Sequence, residues 1–241
     1  MKSEEFHKEI RSAAQLAAIL EVSGWPKPGN VHRSRDHPDA RYEHFLAGSI
    51  AIGSSVEDSA MRGLLVAQGK IDVGEIGIGS LIRKAVRDVA KSHRNGNTHL
   101  GVCLLLIPLA AAAAKTKAEF NEVKPLPLRN NFRRLMEMTT AADTISVYEA
   151  IALASSKKDL GIAQGKLSPD LYELDAKKRI LKERISLLTA MKESSSYDTV
   201  AYELAHGLEI SFNVGYTTLI ETFEICNDIN IAIVHTFLRI L

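Results

Sequence analysis

The sequence predicts an all-α fold, a single multi-helix domain over residues 1–241. Two observations carry this. Apolar residues recur at spacings of three and four through segment after segment, which is the period of a helix with one face on a core. The breaks between those segments hold proline and glycine, which interrupt helices for steric and entropic reasons. No internal repeat or low-complexity tract competes with this reading.

Taken in order, Phe6, Ile10, Ala13, Ala17 and Leu20 form the stripe of a first helix, which ends at Trp25-Pro26-Lys27-Pro28-Gly29-Asn30 because proline denies the preceding residue a helical conformation. A polar loop follows to about Ala40. Residues 42–67 read as one long helix with Phe45, Ala60 and Leu64 inward, and Gly74, Gly77 and Gly79 mark a break. Residues 80–92 form a helix with Leu81, Ile82, Ala85, Val86 and Val89 on its core face. The polar stretch 94–99 opens onto an apolar run over residues 100–114, interrupted by Pro108. That run is shorter than the roughly 20 residues a membrane span needs, so it reads as a core helix. After Pro125 and Pro127, helices are expected over 129–139 and 143–155, then a charged link to about Leu174, then helices over 175–192 and 197–226. The tail, 229–241, is β-branched enough to be helix or strand.

Composition narrows the function. The formal net charge is +1, so no overall basic field is aimed at nucleic acid. The two cysteines, Cys103 and Cys226, are far apart and form neither a disulfide framework nor a CxxC site. The N-terminal segment carries Glu4, Glu5 and Glu9 and does not read as a signal peptide. The expectation is a cytoplasmic protein with small-molecule substrates and no membrane or nucleic-acid partner. A homodimer is a reasonable assembly for it.

Two loops suit a phosphate. The first, residues 24–40, gathers Lys27, His32, Arg33 and Arg35 around Gly29 and Asn30. Arginine forks and a lysine point charge are natural partners of a polyphosphate, and the flanking prolines stiffen the loop. A plain solvated basic loop is the competing reading. The second, residues 94–101, holds Asn97, Thr98, His99 and Gly101 at a predicted helix start. Free N–H groups and the helix dipole favour an anion there, although Thr98 or Asn97 would serve equally as a simple N-cap. Neither loop is a Walker P-loop, and the glycines at 74, 77 and 79 do not match a dinucleotide fingerprint.

Carboxylates on apolar stripes are the third signal. Glu57 falls in line with Ile50, Gly53, Ala60, Met61 and Leu64. Glu21 follows Ala14, Ala17 and Ala18, and Glu149 shares a face with Ile145 and Ala152. Such groups are stable when paired with a cation or bound to a metal. Both readings stand, and Mg²⁺ shared with phosphate oxygens is one of them. Asp143 and Asp198, each followed by threonine, read as N-caps. His7, His93, His206 and His235 have no chemical neighbours in the sequence.

Three ordered motifs make the chain resemble the triphosphoribosyl-dephospho-CoA synthase family, in particular its archaeal members. They are Glu21-Val22-Ser23 with Pro26-Lys27-Pro28-Gly29 and Val31, then His37-Pro38-Asp39 ahead of Tyr42 and Phe45-Leu46, then Asn97-Thr98-His99-Leu100-Gly101 before an apolar helix. The resemblance covers about residues 10–115 well and continues more weakly through 143–154 and 197–215. It implies an all-α transferase that moves the triphosphoribosyl group of ATP to the 2′-hydroxyl of 3′-dephospho-CoA, or a related acceptor, and releases adenine.

It implies roles as well. Lys27, Gly29, Asn30, Arg33 and Arg35 would hold the triphosphate, with Asn97, Thr98 and Gly101 orienting it. Glu21, Asp39 and Glu57 would ligate Mg²⁺ or serve as the general base, Asp39 being named for both. His99 or His37 would protonate adenine. The chain departs from the family pattern at His32, at Ser34-Arg35-Asp36, and in lacking a later Gly-Ala-Arg-type segment. Family members continue past the equivalent of Leu241, so a shortened C-terminus is expected. A non-catalytic nucleotide-binding helical protein, a paralogue using a different acceptor, and a structural helical subunit are the alternatives.

Overall fold

The structure is a computed structural model. It describes residues 5–93, 98–154, 169 and 175–241. Among these the fold is helical, and the only β-type pairings are isolated ones at His32–Arg35 and His37–Ala40. The charged link expected up to Leu174 lies outside the described residues, Pro169 apart.

The centre of the fold is α5 (Leu100–Phe120), surrounded by α1 (Phe6–Ser23), α3 (Gly53–Ala67), α4 (Ile78–Ser92) and α6 (Pro125–Glu137). At 21 residues α5 exceeds the expected apolar run, because Lys115 and Thr116 continue it. Its length alone would allow a membrane span. Its burial identifies it as the core helix: Cys103, Ile107, Ala111, Ala112 and Ala114 are all sealed from solvent. Small residues let α3 press on it. A Cβ at Gly63 would lie 2.1 Å from the Ala111 carbonyl oxygen, and the Ser59 hydroxyl donates to the Ile107 carbonyl at 2.6 Å.

Buried polar groups on α5 are satisfied in concert. Lys115 donates to Asn131 at 2.9 Å and to Glu119, and Asn131 donates to Thr116 at 3.0 Å and to Glu119 at 2.8 Å. Burial opposes the charge on Glu119, but the hydrogen bonds from Lys115 and Asn131 prevail and hold its pKa below the ordinary carboxylate value.

Several expected elements differ in detail. The buried row of α1 is Ala14, Ala18 and Val22; Ala13 and Ala17 are exposed. Four alanines in six positions, 13–18, make the apolar phase degenerate, and Val22 settles it. The expected helix over 42–67 is α2 (Tyr42–Ala51) and α3, bent at Ile52. The Gln15 amide donates to the Ile50 carbonyl at 2.8 Å, an insertion that bends helices. The second helix then sits against α1 at Gly53, whose Cβ would meet that same amide at 2.4 Å. Ile50 and Met61, placed on the stripe of Glu57, are exposed.

α6 begins earlier than expected, since Pro125 is tolerated in a first helical turn. α7 (Ala141–Ala154) starts from Thr140, not from Asp143. The Asp143 carboxylate accepts the Thr140 N–H at 2.8 Å, the reverse arm of a capping box.

The expected helix over 175–192 is α8 (Ala176–Glu183) and α9 (Leu187–Ser194). Arg184 turns left-handed between them with φ 53°. The Ile185 N–H bonds back to Ile180 at 3.0 Å, and Ile185 is buried. This is a Schellman end whose apolar contact offsets the strained φ. Gly207 ends α10 (Thr199–His206) in the same way, with Leu208 N–H on the Glu203 carbonyl at 2.8 Å. Asp198 caps α10 as expected, accepting from Ala201. A π-helical turn, Ser211–Tyr216, then leads into α11 (Thr217–Cys226). The ambiguous tail is a helix, α12 (Ile229–Ile240), capped by Asp228.

Candidate active site

Loop 24–40 is folded as consecutive tight turns. His32 and Arg35 exchange backbone hydrogen bonds at 3.0 and 2.9 Å, as do His37 and Ala40 at 2.9 and 3.3 Å. Gly29, at φ 82°, supplies the left-handed residue. The His37 ring bonds through Nε2 to the Gly29 carbonyl at 2.9 Å and so staples the loop to itself. Asp36 accepts the Tyr42 N–H at 2.9 Å, joining the loop to the start of α2.

The loop sorts its cations. Lys27 is only 1% exposed, with its ammonium donating to the carbonyl and carboxylate of Glu21 and lying over the Phe237 ring. Arg33 and Arg35 face solvent, Arg33 with its guanidinium 5.6 Å from the Trp25 ring centroid. The outer side of the loop therefore presents the Arg33 and Arg35 guanidiniums alongside the exposed Asp36 and Asp39 carboxylates. Burial together with Arg35, Lys27 and Arg33 lowers the pKa of His32 below the ordinary histidine value. Asp39 is exposed, with no polar partner among the described residues.

α12 covers the inner side of the loop. The Asn230 amide makes two hydrogen bonds to the Trp25 backbone, at 2.9 and 2.7 Å. A Cβ at Gly24 would strike Ile233 at 2.7 Å.

The second loop is described from Thr98 onward; Asn97 lies outside the described residues. His99 is the N-cap residue of α5 and makes no side-chain cap. The simple-cap reading of Thr98 therefore gives way. Its hydroxyl lies 2.8 Å from His99 Nδ1 and 3.0 Å from His93 Nε2. The His99 ring is buried, with Nε2 3.1 Å from the Ser49 hydroxyl. Only a glycine at position 48 leaves room for it, since a Cβ there would sit 2.5 Å from Nδ1. Burial, then the nearby His93, pushes the His99 pKa down to about 4. Burial thus favours the neutral form of the ring, so a proton for adenine is harder to supply from His99 than from an exposed histidine. Gly101 is half-buried in the first turn of α5, facing Val200.

The two loops meet on α2. The His44 ring stacks on His93 with centroids 5.2 Å apart, and His44 Nδ1 accepts the Arg41 N–H at 3.1 Å. Phe45 lies against His99 at 5.6 Å. One short helix, tied to the first loop through Asp36, therefore carries the side chains that hold the second. Sequence reasoning missed His44, Ser49 and His93 because no spacing signals them; the packing of α2 on α4 brings His44 to His93. The other histidines read as lacking company also have partners. His7 pairs with Glu57 at 3.3 Å, His206 stacks on Tyr202, and His235 meets Thr222 at 3.1 Å.

The three carboxylates resolve toward cation pairs. Glu57 binds Arg11 at 2.6 Å as well as His7, Glu21 binds Lys27, and Glu149 binds Arg83 and Lys177. For Glu149 the hydrogen bonds from Lys177 and Arg83 lower the pKa. Among the described residues no three His, Cys, Asp or Glu side chains converge on a common point.

No match to this chain was found among curated proteins. A crystal structure of a candidate triphosphoribosyl-dephospho-CoA synthase from Archaeoglobus fulgidus is similar over 75% of the chain, at 25% sequence identity and a TM-score of 0.49; the chain spans 63% of that protein's length. The sequence model of the CitG family, described as ATP:dephospho-CoA triphosphoribosyl transferase, matches residues 7–241. That span takes in both loops, α2 and the buried His99, and the chain belongs to the CitG family of ATP:dephospho-CoA triphosphoribosyl transferases.

Proposed function

We propose that this protein transfers the triphosphoribosyl group of ATP to the 2′-hydroxyl of 3′-dephospho-CoA or a closely related acceptor. The observation that supports it most is the convergence of the two motif loops on α2 within a family match running from residue 7 to 241. In the reaction the acceptor oxygen bonds to the anomeric carbon of the ATP ribose. The carbon–nitrogen bond to adenine breaks, the acceptor loses its proton, and adenine gains one. Oxocarbenium character develops at the anomeric carbon, as in glycoside transfer. The protein's task is to hold the triphosphate, orient the acceptor and exclude water.

Arg33 and Arg35, exposed at the loop tip with the Gly29 and Asn30 backbone beside them, are the groups for the triphosphate. Lys27 acts from below, shaping the loop through Glu21. His37, exposed at the loop, is the acid for adenine. Asp39, exposed and unpaired among the described residues, is the base for the acceptor hydroxyl. Among the described residues Glu21 and Glu57 are engaged in cation pairs. Mg²⁺ would arrive on the nucleotide, held by phosphate oxygens and water.

The test is adenine release, followed by chromatography, from ATP and Mg²⁺ with and without dephospho-CoA. Adenine formed only with the acceptor supports the proposal. ATP binding without any adenine contradicts it.

A further inference from the structure

The hydrogen bonds around His99 have a direction, and it is set at the buried end. Ser49 has one hydroxyl proton, and it is donated to the Phe45 carbonyl at 2.7 Å. Toward His99 Nε2 its oxygen must therefore accept, so Nε2 carries the ring proton. His99 Nδ1 is then a bare lone pair. The 2.8 Å contact to Thr98 requires the threonine hydroxyl to donate into it. With its only proton committed, Thr98 accepts from His93 Nε2 at 3.0 Å. The row runs one way, from His93 through Thr98, His99 and Ser49 to a main-chain carbonyl. Ser49 and His99 are sealed from solvent while Thr98 and His93 are half-buried, so the Thr98–His93 end of the row is the one a ligand meets. The lowered His99 pKa agrees, because a doubly protonated ring would donate from Nδ1 as well and reverse the bond to Thr98.

We propose that Ser49 and His93 are positioning residues that fix the His99 tautomer and leave the Thr98 hydroxyl as a hydrogen-bond acceptor, so that Thr98 selects an N–H or O–H of the nucleoside part of the substrate and not its phosphates. This deepens the proposed function and rests on it. Phosphate oxygens only accept hydrogen bonds when ionised, and an acceptor facing them is repulsive. The two loops thus divide the nucleotide, with the triphosphate on Arg33 and Arg35 and the nucleoside on the Thr98 side.

Nitrogen-15 NMR of the His99 ring tests the row without any substrate. The wild-type ring should be protonated at Nε2 and bare at Nδ1, and Ser49→Ala should introduce the other tautomer. A wild-type ring protonated at Nδ1 overturns the proposal. Binding then tests its consequence, with adenosine and inorganic tripolyphosphate as separate probes. Thr98→Val should weaken adenosine about tenfold, the worth of one hydrogen bond, and leave tripolyphosphate unchanged, while Thr98→Ser restores adenosine binding. Weakened tripolyphosphate with unchanged adenosine overturns the proposal. Should the wild type bind neither probe, the function proposed above fails, and the ring tautomer still decides the row.

Discussion

The Lys27 ammonium stands 5.6 Å from the centroid of the Phe237 ring, so the last helix lies over the one lysine of the first motif loop. The loop's cations therefore have different jobs. A buried ammonium paired with Glu21 shapes the backbone, while the exposed guanidiniums are free to meet a ligand.

Chemical modification reads that burial. Brief treatment with acetic anhydride, mapped by mass spectrometry, should modify Lys27 at least about tenfold more slowly than the exposed Lys8. Phe237→Ala should raise the Lys27 rate. Equal rates for Lys27 and Lys8 in the wild type would contradict the description.

Arg33 and Arg35 should carry the electrostatic part of nucleotide binding. Each alanine variant is expected to weaken tripolyphosphate about tenfold, as for a charge-assisted hydrogen bond, and to reduce the dependence of binding on salt. Calorimetric titration at two ionic strengths measures both. The melting temperature should not move, since both side chains face solvent. Unchanged affinity in both variants would remove the loop from the triphosphate site.

His99 gives the fold an acid-sensitive element. Its pKa is about 4 in the folded protein, against an ordinary 6.5. Between these values the unfolded chain binds a proton that the folded chain refuses. The stability that the neutral ring contributes is therefore complete above pH 6.5, falls as the pH drops through that window, and is gone below about 4. The change amounts to about 3 kcal/mol. Urea unfolding of wild type and His99→Gln at pH 7.5 and 4.5 should show the gap between them shrinking by that order. A gap independent of pH would contradict the burial of the ring.

Asp143 joins two helix starts. One oxygen accepts the Thr140 N–H and hydroxyl at 2.8 and 2.9 Å, and the other accepts the Gly79 N–H at 2.8 Å in the first turn of α4. Asp143→Ala should cost about 3 kcal/mol, combining a lost cap with an orphaned buried donor. Gly79→Ala should also destabilise, because its Cβ would lie 2.3 Å from the Asp143 carbonyl oxygen, a backbone atom that cannot step aside. Urea midpoints measure both, and wild-type midpoints would refute the close α4–α7 contact.

Much of the fold was legible because periodicity and punctuation agreed. All five residues assigned to the inner face of α4 are buried, whereas the single helix expected over 197–226 is broken at Gly207 into α10 and, after the π-helical turn, α11. The errors have physical causes. Arg184 carries no breaker signal, and its left-handed turn is sustained by the burial of Ile185, a tertiary fact. The stripe of α1 was misphased because alanine fits either side. In the site, the residue types of both loops were readable, but which side chains are buried and which face solvent was not. Nothing in Pro26-Lys27-Pro28-Gly29 says that its lysine points inward under α12. His44, Ser49 and His93 became visible only when α2 and α4 were packed together.

The central claim is that the loops joined by α2 serve transfer from ATP, and adenine release measures it most directly. With ATP, Mg²⁺ and dephospho-CoA, the account predicts one adenine per acceptor consumed, none without acceptor, and a marked loss in the double variant Arg33→Ala, Arg35→Ala. Absence of adenine from the wild type with acceptor present, or turnover undiminished in the double variant, would contradict it.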